Sequence, residues 1–393
     1  MSYREWRAEA GIVYIRDDWA SGGSRADLIL FDCDGVLIDV RPSYDAAIRE
    51  AVSYIVSKLA GRPVTRPVSR RLIYRFRHSG GFNNDWDTVC AILWGIAAQL
   101  PERWAEDFLR ADEDLAGQGL HDAAERFMAY IRCLRRPKTL EDVLELQHPF
   151  PSAPMRRRLL ELAERADSSG LRSVERTILE QWGGSDLRRE AFRAFQRFLG
   201  YPGEPEQSIV IRVFNELFYG AAYCRERFGW EPRFHLGPGF MDRERPIITE
   251  ATLRWLERAF GRARLGIVSG RSRESARRTL GERLEAFNPE ALVFLEDEWS
   301  GVPEGVAIGK PEPYGLWRAV RAMGEFRRAL YVGDSAEDAL MVERARDARF
   351  EFIGVYGTGY GAREKIAWFR ARRAAAILPT VNELPELFDR HIG

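Results

Sequence analysis

The chain has 393 residues, of which 45% are hydrophobic, enough apolar material for the packed cores of two or three domains. Lys and Arg together number 59, as do Asp and Glu, so the formal net charge is zero. This balance argues against a uniformly basic nucleic-acid binder. Only four of the basic residues are lysines: Lys58, Lys138, Lys310 and Lys365. A lysine at a motif position is therefore more informative than an arginine.

Cysteine spacing and hydropathy indicate the compartment. The four cysteines lie far apart in the sequence, which argues against a disulfide framework and against a tetrahedral zinc site. The opening Met-Ser-Tyr-Arg-Glu-Trp lacks the apolar core of a signal peptide. The longest apolar run, 89–98, is shorter than the roughly 20 residues that cross a bilayer. We expect a cytoplasmic protein with no membrane partner.

The first predicted element is a buried strand. Residues 27–32 read Asp-Leu-Ile-Leu-Phe-Asp, a continuous apolar run between polar residues, which is typical of a parallel strand covered on both faces. A helix is predicted from Pro42 to about Leu59, because apolar residues recur every three to four positions. Gly61 and Pro63 end that helix.

A long helical region follows. Helical periodicity continues from there to about Gly239, and no strand is predicted between Pro63 and that residue. The clearest predicted helices are 89–100, 103–115, 123–134, 155–166 and 187–199. The region therefore predicts an all-helical domain.

The pattern changes after residue 239, where predicted strands and helices alternate. The strands are 265–268, 291–295, 329–332, 350–356 and 374–378. The helices are 249–260, 312–323 and 336–345. Such alternation is typical of βαβ units in a parallel sheet. The sequence predicts the α/β class, with a Rossmann-like, doubly wound, mainly parallel sheet over 1–41 and 241–393, interrupted by an all-helical domain over 42–240.

Two carboxylates directly follow the first predicted strand. Asp32 and Asp34 stand in Phe-Asp-Cys-Asp-Gly, and residues two apart on a strand point to the same side. Two neighbouring carboxylates repel unless a metal cation, a shared proton or backbone amides compensate their charge. A Mg²⁺ site meets that need. Taken alone, the pair also fits two turn aspartates that cap a helix.

Three later segments carry polar residues at loops and strand ends. Ser269 stands in Gly-Ile-Val-Ser-Gly-Arg, Lys310 in Ile-Gly-Lys-Pro-Glu-Pro, and Asp334 with Asp338 in Gly-Asp-Ser-Ala-Glu-Asp. Each alone also fits a purely structural role: a helix cap, a solvated lysine or acids in a first helical turn. Together with Asp-x-Asp-Gly-Val-Leu, and in this order, they resemble the haloacid dehalogenase superfamily.

That resemblance implies a phosphatase that uses Mg²⁺. It implies that Asp32 attacks phosphorus, and that Asp34 protonates the leaving oxygen and later deprotonates the hydrolytic water. The implied metal site consists of Asp32, Asp34, Asp334 and, as an outer partner, Asp338. The implied phosphate contacts are Ser269, Gly270 and Lys310. An acid at position 34 disfavours dehalogenation, because a halide leaves without a proton.

The helical insertion stands where one class of superfamily caps is inserted, and it is larger than most of them. Caps close over the site and set specificity. The Gly-Gly-Phe-Asn-Asn-Asp-Trp segment resembles a poorly characterised archaeal and bacterial branch. The residues expected to contact substrate are Arg41, Asn83, Asn84, Asp85 and Arg271. The alternative is that Asn84 or Asp85 caps the next helix and that Trp86 packs inside.

We therefore expect hydrolysis of a small-molecule phosphate monoester, of the sugar or polyol phosphate kind, with no nucleic-acid partner. Two alternatives stay open. A phosphomutase shares the same motifs, and a noncatalytic sensor or scaffold would bind a phosphorylated ligand through the enlarged cap. The Gly-rich segment 357–361 is predicted as a strand-to-helix connection that needs no ligand.

Overall fold

The computed structural model divides into two compact units, one of residues 1–41 and 244–393 and one of residues 42–243. No helix among the described residues is long and apolar enough to span a bilayer. The residues whose structure is described are 2–21, 26–64, 67–82, 84–134, 151–181, 184–298 and 307–391.

The strands all belong to the first unit. In chain order they are β1 (Tyr3–Arg7), β2 (Ile12–Arg16), β3 (Leu28–Phe31), β4 (Ile38–Asp39), β5 (Arg245–Pro246), β6 (Leu265–Ser269), β7 (Leu292–Phe294), β8 (Ala329–Gly333), β9 (Phe350–Val355) and β10 (Ala376–Leu378).

The described helices are shared between the units, with α2 to α11 in the second. They are α1 (Asp17–Ser21), α2 (Tyr44–Ala60), α3 (Arg70–His78), α4 (Asp85–Ala97), α5 (Glu102–Leu115), α6 (Ala123–Leu134), α7 (Ala153–Arg165), α8 (Leu171–Gln181), α9 (Asp186–Leu199), α10 (Ile209–Tyr219), α11 (Ala221–Phe228), α12 (Glu250–Phe260), α13 (Arg273–Leu280), α14 (Leu295–Glu298), α15 (Tyr314–Met323), α16 (Ala336–Arg344), α17 (Ala362–Ala371) and α18 (Leu384–His391).

The first unit is built on an eight-stranded sheet in the order β1-β2-β10-β9-β8-β3-β6-β7. From β10 to β7 the neighbouring strands run parallel, whereas β1 and β2 form an antiparallel hairpin at one edge. This arrangement confirms the predicted mainly parallel α/β class. The antiparallel edge hairpin is an addition that the sequence pattern did not predict.

The strand β3 lies between β8 and β6 and is buried at all four positions. Its side chains alternate between two apolar clusters, Ile29 and Phe31 in one and Leu28 and Leu30 in the other. Both faces of the sheet are therefore covered, which explains the continuous apolar run. The chain proceeds from β3 to strands on either side, and in such sheets the crevice at the carboxyl ends of the strands is the usual ligand site.

The second unit is helical throughout its described residues. In α4, every residue from Thr88 to Ala97 is buried, so this helix is the centre of the unit. The next most enclosed helix, α10, also buries Arg212 and Glu216, which pair with each other at 3.3 Å. The second oxygen of Glu216 accepts backbone N–H groups at 2.6–3.1 Å from residues 233–235. A buried carboxylate satisfied in this way fixes the chain that follows the helices.

Candidate active site

Polar side chains from three neighbouring strands meet at the carboxyl edge of the sheet. Asp32 directly follows β3, Ser269 ends β6, and Asp334 directly follows β8. The last residue of β3 pairs with Ile267 of β6 and with Val332 of β8. This register places the ends of the three strands side by side.

Lys310 bridges two of the carboxylates. Its Nζ lies 2.8 Å from Asp32 Oδ1 and 2.7 Å from Asp338 Oδ1, and its side chain is 10% exposed. Burial opposes the charge of this ammonium, but Asp32 and Asp338 outweigh that effect and raise the pKa of Lys310. The lysine singled out by its rarity therefore carries a fixed positive charge between two acids.

Asp338 is fully buried, and both its oxygens have donors. Oδ1 accepts from Lys310 and, at 3.2 Å, from the Tyr331 hydroxyl. Oδ2 accepts from the backbone N–H groups of Asp334 and Ser335 at 3.0 Å each and from Ser335 Oγ at 2.8 Å. A Cβ at Gly333 would lie 2.5 Å from Asp338 Cγ, so the preceding strand must end on glycine.

Asp334 is held by residues that the sequence patterns did not identify. Lys365 Nζ lies 2.7 Å from Asp334 Oδ2 and also donates to the backbone carbonyl of Thr358 at 3.1 Å. The Thr358 hydroxyl donates to the Gly35 carbonyl at 2.7 Å. The segment 357–361 is a strand-to-helix connection as predicted, but it also contacts the site. The rarity of lysine in this sequence, with Lys365 one of only four, was the feature that could have identified it.

Gly35 makes the close approach to Asp334 feasible. Its φ of +73° lies in the left-handed region, and a Cβ there would lie 2.5 Å from Asp334 Cγ. A larger residue would therefore be strained in its backbone and would displace the carboxylate.

Burial dominates the protonation of the first two carboxyls. Burial raises the pKa of Asp32 to about 7, with Lys310 acting in the opposite direction. Burial likewise raises the pKa of Asp34 to about 6, opposed first by Arg271. For Asp338, Lys310 and the Ser335 donors outweigh burial, so its pKa is lowered. Burial therefore raises the pKa values of Asp32 and Asp34, the two carboxyls expected to react, whereas the charge of Lys310 and hydrogen bonds lower that of Asp338.

The donor set fits a divalent cation of the Mg²⁺ type. Carboxylate oxygens of Asp32, Asp334 and Asp338 lie within 4.8 Å of one another. Carboxylate oxygen is the ligand that Mg²⁺ prefers, usually from one or two side chains with several waters. Because the oxygens of Asp338 already accept five contacts, Asp32 and Asp334 are the better candidate ligands, and Asp338 fixes their surroundings.

Arg271 lies in a buried ion cluster. Its guanidinium pairs with Glu244 at 3.0 Å, and its Nε lies 3.2 Å from Asp34 Oδ1. The Arg271 and Glu244 side chains are 1% and 0% exposed. Glu244 was not identified from the sequence. Arg41, the other arginine expected to meet a substrate anion, is half-exposed and pairs with Asp39 at 2.6 Å.

Ser269 and Gly270 stand at the end of β6 with contrasting exposure. Ser269 is 1% exposed, whereas Gly270 is exposed and a Cβ there would meet nothing within 4 Å. The space beside Gly270 is therefore open to a ligand approaching the backbone.

The candidate substrate residues of the second unit take structural positions. The Asn84 side chain caps α4 by accepting the Trp86 N–H at 2.9 Å, and Trp86 Nε1 donates to Asn215 at 3.0 Å. Asp85 pairs with Arg77 at 2.8 Å. Asn84 thus caps the helix, as the alternative interpretation expects. Asn83 lies outside the described residues.

Part of the chain matches a known protein family, and the whole fold resembles solved structures. Residues 240–346 match the model of a family described as haloacid dehalogenase-like hydrolase. A solved structure from the Northeast Structural Genomics Consortium is similar, with a TM-score of 0.57 at 17% identity, covering 93% of this chain and 98% of that one. A phosphatase from Thermococcus thioreducens aligns with a TM-score of 0.47 at 23% identity, covering 88% and 98%. No curated protein matches the chain. The first solved structure supports the fold alone.

Proposed function

Since this chain carries a haloacid dehalogenase-like hydrolase domain, we propose that it hydrolyses phosphate monoesters of small molecules through an aspartyl phosphate on Asp32. The observation that carries the proposal is the Asp32–Lys310–Asp338 cluster with Asp334 at the same edge of the sheet. A carboxylate is a weak nucleophile toward a phosphate dianion, so attack needs cations held close to it. Lys310 supplies one such charge.

The first half-reaction transfers the phosphoryl group. An oxygen of Asp32 forms a bond to phosphorus while the bond from phosphorus to the ester oxygen breaks. Asp34 gives its proton to that departing oxygen, so the product leaves as an alcohol. A pKa of about 6 lets Asp34 carry a proton near neutral pH.

The second half-reaction restores the protein. Asp34, now ionised, takes a proton from water as the water oxygen attacks phosphorus. The bond between phosphorus and Asp32 breaks, which returns the carboxylate and releases inorganic phosphate. Asp34 therefore acts first as the general acid and then as the general base.

Asp32 and Asp334 would hold Mg²⁺, with the Asp34 backbone carbonyl as a further ligand. When bound, the cation neutralises charge on the phosphoryl oxygens and favours the ionised nucleophile. Lys310, Ser269 and the Gly270 amide would contact the oxygens that are not transferred. Asp338 holds Lys310 in place through its 2.7 Å ion pair.

The helical unit 42–243 is inserted between Arg41 and Glu244, and we assign substrate specificity to it. Sugar or polyol phosphates are the proposed class, because amide and carboxylate side chains suit hydroxyl groups. Within this unit Asp85 pairs with Arg77 and Asn84 caps α4, so neither of these two side chains is assigned to the substrate.

The test is phosphate release from a panel of sugar, polyol, amino-acid and nucleotide monophosphates, with Mg²⁺ or with a chelator. We expect release with Mg²⁺ only, and its loss in Asp32→Asn. The matched control is Asp39→Asn, an aspartate of the same segment that pairs with Arg41 instead. Release by Asp32→Asn at the wild-type rate would contradict the proposal. Transfer of phosphate between positions of one sugar, without net release, would identify the phosphomutase alternative.

A further inference from the structure

A buried chain of charges leads from the interior of the first unit to Asp34. The guanidinium of Arg271 donates from Nη1 and Nη2 to the Glu244 carboxylate at 3.0–3.2 Å, and its Nε lies 3.2 Å from Asp34 Oδ1. The Thr279 hydroxyl donates to the same Glu244 carboxylate at 3.0 Å. Glu244 therefore receives donors from two residues of the β6–α13 region, and Arg271 is oriented by it.

The sheet register fixes this contact. Strands β3 and β6 are neighbours, and the last residue of β3 pairs with Ile267. Asp34 lies three residues after the last residue of β3, and Arg271 lies four residues after Ile267. The arginine side chain is therefore beside the carboxyl because of backbone pairing, and it does not depend on the placement of a long loop.

The contacts of the guanidinium argue against a substrate-binding role for Arg271, because its nitrogens face the carboxylates of Glu244 and Asp34. Its side chain is 1% exposed, and that of Glu244 is fully buried, whereas the Asp34 side chain keeps 31% exposure. A planar guanidinium with a two-point contact to a carboxylate loses little freedom and holds its direction well. Only the carboxyl at the end of the chain of contacts reaches the open part of the site.

We propose that Arg271, oriented by Glu244, is a positioning residue for Asp34. Its positive charge, 3.2 Å from Oδ1, orients the carboxyl and so leaves Oδ2 to exchange the proton with the departing oxygen. The inference rests on the proposed function, in which Asp34 is the acid. It gives Arg271 and Glu244 a task in the reaction although neither contacts the substrate.

The test uses aryl phosphates of graded leaving-group basicity together with an alkyl phosphate. For Arg271→Met, kcat/KM should fall about 100-fold with the alkyl phosphate, the cost of a misplaced catalytic group. It should change little with dinitrophenyl phosphate, because a nitrophenolate leaves without a proton. A loss that depends on the leaving group is a readout that a purely structural role does not move.

The matched control is Arg372→Met, which removes a half-exposed arginine paired with Glu343 at 2.6 Å in the same unit. It should leave the leaving-group dependence at the wild-type value. If Arg271→Met does not fold, Arg271→Lys keeps the charge but loses the two-point contact, and the same graded loss is expected in it. Thermal unfolding of each variant checks the fold.

Two results would overturn the inference: an equal loss of kcat/KM for every leaving group, or no loss at all, in a folded Arg271 variant. A wild-type protein that releases phosphate from none of the esters would instead overturn the proposed function, and the inference with it. The two failures are distinguished by the wild-type measurement.

Discussion

Replacing Gly35 with alanine adds one carbon atom next to Asp334 and so tests how closely the site is packed. The residue has φ of +73°, and the added Cβ would lie 2.5 Å from Asp334 Cγ. Non-bonded carbons are at their optimum at about 3.5 Å, so Asp334 must move by about 1 Å. The left-handed backbone adds roughly 1–2 kcal/mol for any residue with a Cβ.

Two effects on Gly35→Ala are therefore expected. The free energy of unfolding should fall by more than the roughly 1–2 kcal/mol of the backbone term alone. Phosphate release should fall about 100-fold, because a displacement of about 1 Å at a catalytic constellation has that cost. Denaturant unfolding measures the first effect, and steady-state kinetics over a Mg²⁺ series measures the second.

The control is Gly261→Ala, which lies in the same unit. Gly261 has φ of +78°, and a Cβ there would meet nothing within 4 Å. With ψ of 145° its backbone is also unfavourable for a residue with a Cβ, but there is no contact to Asp334, so the variant should lose stability and keep activity. If Gly35→Ala matches Gly261→Ala in both stability and activity, the reasoning about the Asp334 contact is refuted.

Three further predictions concern charges. Glu216→Gln should destabilise the helical unit by about 3–5 kcal/mol in denaturant unfolding, since it breaks a buried ion pair, whereas Glu231→Gln, which breaks an exposed pair, should leave the unfolding midpoint almost unchanged. Lys365→Met should tighten Mg²⁺ binding measured by calorimetry, because a cation 2.7 Å from Asp334 is removed; weaker binding would show that the lysine orients the carboxylate. Burial raises the pKa of Asp87, so the folded state binds its proton more readily than the unfolded state and stability falls as pH rises through that folded pKa; Asp87→Asn should flatten this part of the unfolding profile.

The parallel strands were predictable because each is covered on both faces and reads as an apolar run. The edge hairpin was not. In β1, three of the five residues are charged and no position is fully buried, so the segment has no apolar run. The following strand, Ile12–Arg16, is an antiparallel partner of β10, and that pairing is set by tertiary contact.

The helical unit shows where periodicity fails. The prediction began the central helix at residue 89, whereas α4 begins at Asp85, because its first turn is polar and is capped by Asn84. In the helix α10 every residue from Ile209 to Phe218 is buried, the polar ones included. Its polar Arg212 and Glu216 lie inside as a pair, which the sequence pattern does not reveal.

In the candidate site, the sequence predicts that residues at strand ends lie together, because parallel strands finish at one edge of the sheet. Asp32, Lys310 and Asp338 do lie in contact. Lys365 and Glu244 could not be identified in the same way. Each lies far along the chain from the carboxylate it serves, so only the folded sheet brings them to Asp334 and, through Arg271, to Asp34.

In the proposed reaction a phosphoryl group passes through Asp32, and trapping that group tests the proposal directly. Wild-type protein mixed with Mg²⁺ and a hydrolysed phosphate ester is quenched in acid within one turnover, digested and measured by mass spectrometry. We expect a phosphorylated peptide with the modification on Asp32, absent when Asp32→Asn is treated in the same way. Turnover without any phosphorylated Asp32 peptide, or with the phosphoryl group on another residue, would contradict it.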